Sequence, residues 1–382
     1  MHVISKYLIL SLLITATASS CASSGSYMNK QWQTLPPLPG PVEQFVALIV
    51  GGTPMLIGGR TIDDSVLDWI LVLHDNDTKW KHVGSLSRPR ALSSGAVLHD
   101  GSVLVIAGFT STDEDEESLI RSGKTSERVG SFGENLTFTD MSAQIEIHLF
   151  RTLTTLADGR VLLVGGRDRY RESEPSDVEV YSPETDTWKP TSPLPESRSS
   201  HEATLLLDGR VLVVGGKDIG NHRMSTTLLY DPVTDKWNDA GSLSEARAGH
   251  SATLFPDGSV LVAGGSDDYL NYLCSAELFD SVSKQWRNVA KMPLSRSGHG
   301  AAPLSDGRVL IIGGMTADTG GPQKTLNTTV IYDPKTDTWV EGPSLPAARS
   351  YAHVLWNEEF IYLIGGYDEN EDPTDTVFRL DR

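Results

Sequence analysis

Short apolar runs of four or five residues alternate with polar turns along nearly the whole chain, and the pattern returns about every 50 residues. Val103–Ile106, Val161–Val164, Val211–Val214, Val260–Ala263 and Val309–Ile312 are runs of this kind. Each is followed by a glycine pair or, at Ala107-Gly108, a degenerate one. The full pairs are Gly58-Gly59, Gly165-Gly166, Gly215-Gly216, Gly264-Gly265, Gly313-Gly314 and Gly365-Gly366. Five runs are preceded by Asp-Gly, at Asp100, Asp158, Asp208, Asp257 and Asp306. Asp-Gly between apolar runs predicts a tight hairpin, because a type I′ turn needs positive φ at both central residues. Every unit is therefore expected to start with a hairpin whose second strand ends at the glycines.

Downstream of the glycines an aromatic and then a tryptophan recur, as in Tyr181–Trp188, Tyr230–Trp237, Phe279–Trp286 and Tyr332–Trp339, with Leu73–Trp80 a variant. They supply a third strand, a turn and a fourth strand. Seven glycine motifs require seven such elements, yet Trp32 precedes the first motif and only one strand, Thr376–Leu380, follows the last. The register predicts that an N-terminal strand over Gln31–Leu35 completes the final unit, which removes an exposed sheet edge. In the second unit, Phe132–Phe138 stands where tryptophan is missing.

A period near 50 residues with a glycine pair followed by spaced Tyr and Trp resembles the kelch family, from Trp32 to about Asp381. The DGRVLVVGG and RAGHSATLFPDGSVLVAGG segments most resemble bacterial exported kelch proteins. The resemblance implies an all-β fold, a seven-bladed kelch-type β-propeller over residues 31–382 whose last blade is closed by the N-terminal strand. Aromatic and glycine repeats are then scaffold, packing blade on blade and admitting close backbone approach.

Composition adds location. Apolar residues make up 39% of 382, enough for a core, and the formal charge of −18 disfavours nucleic acid as a partner. Tyr7–Ala18 is too short to span a bilayer and follows a weakly positive start, so residues 1–20 are expected to be a signal peptide. Ala18-Ser19-Ser20-Cys21 resembles a bacterial lipobox, although Ala18 stands where that family prefers Leu. The expectation is a lipoprotein modified on Cys21, with residues 21–30 a tether, on the periplasmic side or on the outer membrane. The alternative is ordinary cleavage nearby and secretion. Cys274 is the other cysteine, so lipidation would leave no disulfide partner.

Arginine recurs ten residues after each of five tryptophans: Arg90, Arg198, Arg247, Arg296 and Arg349. The same count from Phe138 gives His148, and from Trp32 it gives Val42. Three residues further lie His201, His250 and His299, while Arg151 takes that place after His148, exchanging the two types. This segment links one blade to the next, and in ligand-binding kelch domains such arginines often line the pocket beside small residues. Here the neighbours are Ala91, Ser199, Ala248, Ser297 and Ser350. One expectation is a cationic funnel for carboxylate or phosphate. The other is that each arginine braces a blade junction, with Glu196 and Glu245 as partners.

The loops after the glycines should open on the same face. Arg60, Arg167, Arg169, Arg171 and Lys217 add positive charge there, Asn221 offers hydrogen bonds, and Phe109, Tyr170, Tyr269, Tyr272 and Tyr367 are stacking platforms. The acidic run Asp113–Glu117 reads as a solvated stretch. No nucleophile elbow, P-loop, His-Glu-x-x-His or paired zinc cysteines occur. Copper radical oxidases of the kelch fold need a Cys cross-linked to Tyr with Tyr and His ligands. Cys274 is the one candidate thiol, and no adjacent Tyr-His pair exists. The resulting expectation is a monomeric binding module without cofactor or metal, holding a protein partner or an anionic small molecule or glycan and touching the membrane through its lipid alone. The alternative is a sugar-directed enzyme of the kelch mutarotase type acting on an acidic sugar, with His148, Glu146, Arg151 and Arg198 available.

Overall fold

The computed structural model describes Tyr27 and residues 29–108, 126–130, 138–140, 150–167, 177–317 and 322–382. Seven four-stranded antiparallel sheets stand around a central axis, and no helix occurs among the described residues. The fourth blade is representative: Glu202–Leu205 innermost, then Val211–Val214, Thr226–Asp231 and Lys236–Ser242. Its second strand, Val-Leu-Val-Val, has no exposed residue, since a strand inside a blade meets a neighbouring blade on both faces. Burying such a side chain contributes on the order of 1.5–3 kcal/mol, so these runs supply most of the driving force. Inner strands of successive blades touch all the way round, and Val46–Val50 against His353–Trp356 completes the circle.

The hairpins form at Asp-Gly, with Gly101, Gly159, Gly209, Gly258 and Gly307 at φ between 81° and 87°, but none of the five aspartates has positive φ, so the turns are not the expected type I′. The last blade consists of His353–Trp356, Phe360–Ile364 and Val377–Asp381, completed by Gln33–Leu35 paired with Val377–Arg379. Closure by the N-terminal strand is thus present, in a strand two residues shorter than expected. Trp32 Nε1 donates to Pro343 O at 2.9 Å. Trp80, Trp237, Trp286 and Trp339 do likewise onto the preceding blade, as in Trp237 to Ser192 O at 2.8 Å and Trp286 to Ala240 O at 3.0 Å. The second blade follows the count as well. Phe138 pairs with Val129 at the station where Trp188 pairs with Tyr181 and Trp237 with Tyr230.

A candidate ligand-binding mouth

The five recurring arginines are buried: Arg90, Arg198, Arg247 and Arg296 are 0% exposed and Arg349 5%. Arg247 donates from Nη1 to Gly264 O at 2.9 Å and to Ser275 O at 3.2 Å. Arg198 reaches Gly215 O, Arg296 reaches Gly313 O, and Arg90 reaches Ala107 O. In these four the guanidinium therefore holds the first glycine (or Ala107) of its own blade's pair, while Arg349 donates from Nε to Thr376 Oγ1 at 3.1 Å. The arginine's carbonyl meanwhile accepts from the second glycine of the preceding blade, as in Gly216 N to Arg247 O at 3.0 Å and Gly265 N to Arg296 O at 2.9 Å. The cationic funnel expected of these side chains is not formed. Their planar forks are consumed by carbonyls, and they clasp one blade to the next. Burial pulls the Arg198 and Arg296 guanidinium groups down to about 10.

Arg247 also pairs with Glu277 at 3.0 Å, and Arg90 stands 3.6 Å from Glu127. Both glutamates lie two residues before the aromatic station of their third strands. Glu179 holds that place in the third blade, and there Arg151, 8% exposed, reaches it at 3.8 Å. The exchange of Arg and His in that unit thus preserves an ion pair. In the fourth and sixth blades the station is Leu228 and Val330, and Arg198 and Arg296 turn to the Thr226 and Thr328 hydroxyls. The expected partners Glu196 and Glu245 stand 3.9 Å from Arg198 and 3.7 Å from Arg247.

The histidines belong to the same scaffold. His201 Nε2 bonds Thr152 Oγ1 at 2.8 Å and His299 Nε2 bonds Ser251 Oγ at 3.0 Å. Burial, reinforced by Arg198, Arg247 and Arg296 respectively, depresses His201, His250 and His299 to about 3. They are neutral imidazoles wedged against the glycine pairs; His201 Cε1 leaves 3.0 Å for a Cβ at Gly165.

Residues beside these clasps do reach an opening. A cavity of about 910 Å³ lies at one end of the propeller axis, lined from all seven blade junctions. Ser199, Ala248, Ser297 and Ser350, each next to a clasp arginine, line it, as do Arg167, Lys217, Tyr272 and Tyr367 of the post-glycine loops. Arg60, Tyr269 and Asn221 do not line it. In five blades the residue after the clasp position faces the residue after the same blade's glycine pair, as in Glu43 with Arg60, Ser199 with Lys217, and Ser350 with Tyr367.

Charge at these stations is uneven. In the first blade Arg60 Nε donates to Glu43 Oε1 at 3.1 Å, and Tyr367 OH, pushed up to about 12 by burial and Glu43, donates to the other carboxylate oxygen. In the fourth blade the cation Lys217 faces Ser199, which carries no charge. Burial and the adjacent Arg223 and Arg167 lower the Lys217 ammonium below its ordinary value. In one wall of the mouth Arg60 is paired with Glu43, and in another Lys217 stands near Arg223 and Arg167.

A second ring sits two residues after each clasp position. Gln44, Leu92, Phe150, Ser200, Gly249, Gly298 and Tyr351 all have φ between 50° and 67°. Backbone bonds tie neighbours together: Leu92 N to Gln44 O at 2.9 Å, Ser200 N to Phe150 O at 3.2 Å, Gly298 N to Gly249 O at 3.1 Å and Tyr351 N to Gly298 O at 2.7 Å. Arg223, Tyr351, Phe150, Leu92 and Gln44 line the cavity without having been singled out in the sequence. The count of twelve from each tryptophan, and from Phe138 in the second unit, would have found four of these five.

Cys21, His148, Glu146, Phe109, Arg169, Tyr170, Arg171 and the acidic run 113–117 lie outside the described residues. Arg151 and Arg198, candidates for sugar chemistry, are held in the clasps.

No curated protein matches this chain. Many solved structures share the fold. A copper-bound fungal alcohol oxidase of the AA5 family superposes with a TM-score of 0.71 at 17% identity, over 93% of this chain and 76% of its own. YjhT superposes with a TM-score of 0.55 at 15% identity, over 90% and 95% respectively. The residues here do not suit a copper radical centre. Cys274 packs against the core cluster that holds Phe255 and Val309 between blades, outside the cavity lining, and no three His, Cys, Asp or Glu converge among the described residues. The family model for the Attractin/LZTR1 β-propeller matches residues 158–378. With seven blades, the glycine pairs and the Tyr–Trp stations in register, the chain belongs to that family of kelch-type propellers.

Proposed function

We propose that this chain is an exported, lipid-anchored propeller that binds an anionic small molecule or glycan in its mouth, without covalent chemistry. The observation that carries the reading is Lys217. It occupies the station where Arg60 is neutralised by Glu43, yet it faces Ser199 and has Arg167 and Arg223 as its charged neighbours. Lys217 and Arg223 paired side by side repel one another, a cost that is offset when a carboxylate or phosphate enters. The aromatic lining of Phe150, Tyr272 and Tyr351 offers apolar faces to a ring beside the acid. Glu43 is committed to Arg60, Gln44 and Tyr367, which favours binding over acid–base chemistry at that wall.

Titration of the purified protein with trigalacturonate, inorganic pyrophosphate and neutral maltotriose tests this. Binding of at least one anion, weakened by salt and weakened about ten- to a hundredfold by Lys217→Ala, is expected, with none for maltotriose. Equal binding of maltotriose, or no binding of either anion, defeats the reading.

A further inference from the structure

The seven left-handed residues around the mouth share one backbone conformation but not one side-chain size. Tyr351, Gln44, Leu92 and Phe150 are consecutive around the ring and bulky, whereas Ser200, Gly249 and Gly298 are consecutive and small. The Gly298 station is filled from next door, because a Cβ there would stand 2.7 Å from the Tyr351 ring. A Cβ at Gly249 would meet the Ser297 hydroxyl at 2.6 Å, but no ring covers that station and Gly249 stays exposed. Ser200 and Gly249 are the low stations, between Phe150 and Tyr351. Ser199 and Ala248, the residues before them, pair with Lys217 and Ser266. The low part of the ring thus adjoins Lys217 and Arg223, and Glu43 stands across the mouth beside Gln44.

From this we infer that the ligand of the proposed reading, on which the inference rests, sits off the propeller axis over Ser200 and Gly249. Its acidic group is held by Lys217 and Arg223, and its body lies between the Phe150 and Tyr351 rings. The residue two positions after the clasp then sets which sector of the mouth is open, and so which shape is accepted. Phe150 and Tyr351, 55% and 57% exposed, wall the sector instead of filling a core. Such exposure of large apolar side chains beside a cavity suits contact with a ring-shaped ligand.

Ser200→Phe separates the alternatives, because Phe150 already holds a phenyl group at the same φ (60° against 51°) without a β-branched clash. With whichever of trigalacturonate or pyrophosphate the wild type binds, Ser200→Phe is expected to weaken binding at least about tenfold at unchanged melting temperature. Phe150→Ser, which enlarges the far wall, is expected to weaken it less. Unchanged affinity in Ser200→Phe, or a larger loss in Phe150→Ser, overturns the sector. Should Ser200→Phe not fold, thiol labelling in a Cys274→Ser background decides. Ser200→Cys should react faster with an anionic than with a cationic methanethiosulfonate, and Gln44→Cys should not; equal preference at both overturns it. The labelling does not depend on the ligand, so failure of the sector and failure of anion binding give different results.

Discussion

Arg247 Nη1 lies 2.9 Å from the carbonyl oxygen of Gly264, seventeen residues away in the same blade. Through its own carbonyl Arg247 also receives Gly216 of the preceding blade, so a single residue joins two sheets at the point where their glycines turn. Glycine is needed there: a Cβ on Gly215 would stand 2.7 Å from Arg247 O, and one on Gly264 would stand 2.5 Å from Arg296 O. The glycine pair and the arginine are two halves of one joint, repeated around the ring.

The joint predicts unequal costs for equal substitutions. Arg247→Met leaves Glu277, 2% exposed, without its cation, and stranding a buried charge costs about 3–5 kcal/mol. Arg296→Met leaves only carbonyls and the Thr328 hydroxyl unpaired, a loss of about 1–3 kcal/mol. Urea unfolding of the two variants should show the larger loss in Arg247→Met, and Arg247→Met with Glu277→Leu should recover part of it. Equal losses, or no recovery, would mean that the guanidinium acts by packing alone.

The fold was legible because its signals are local. Asp-Gly demands one turn, the glycine pair one close approach, and the Tyr–Trp spacing one strand pair; the repeats then multiply each signal. Phe138 was placed by counting alone, and its pairing with Val129 bears that out. The direction of the arginines was not legible in the same way, since regular spacing fixes a backbone station but not the side chain's destination. Glu196 and Glu245, legible beside Arg198 and Arg247, do stand 3.9 Å and 3.7 Å from them. The signal that was missed lay about thirty residues on, in Glu127, Glu179 and Glu277, which stand beside an arginine only once the third strand has folded back. The mouth was half legible for the same reason. Lys217 and Arg167 are conspicuous in sequence, but the neutral partner of Lys217 and the size pattern of the left-handed ring emerge only when seven stations are laid in a circle.

Deleting residues 30–36 should open the last blade. It removes Trp32, 7% exposed and bonded to Pro343 O, together with the strand paired to Val377–Arg379. Loss of a buried tryptophan alone costs about 3–5 kcal/mol. At roughly 2–4 °C per kcal/mol in a large domain, the melting temperature should fall by about 10 °C or more. A truncated protein that melts with the parent would show that Gln33–Leu35 contributes no closure.

Lipidation is tested without reference to the fold. Cys21 follows Ala18-Ser19-Ser20, and the other thiol, Cys274, packs between blades. Metabolic palmitate labelling should vanish in Cys21→Ser and the protein should leave the membrane fraction. Persistent label and membrane association in that variant would remove the anchor from the proposal.

The axis of the propeller should make stability depend on pH in two opposed ways. His201, His250 and His299 are held at about 3 and His353 at about 4 by burial, far below the ordinary imidazole value of about 6.5. An unfolded chain takes up protons at these groups below about pH 6.5 while the folded protein does not, so their contribution is complete above that pH and declines as pH falls toward 3. Glu202, on the inner strand of the fourth blade, runs the other way. Burial pushes its carboxyl up to about 7, so the folded protein keeps a proton that the unfolded chain releases near 4.5. Its contribution is complete below about 4.5 and declines as pH rises through 7. Glu202→Gln removes only this second dependence. At pH 8 the variant should be more stable than the parent by on the order of 1–3 kcal/mol, because no charge is then enclosed, and at pH 4 the difference should disappear. Urea unfolding of both proteins at pH 4 and pH 8 reads this directly. A gain of the same size at both values would show that the glutamine acts through shape, and that Glu202 carries no charge burden in the folded channel.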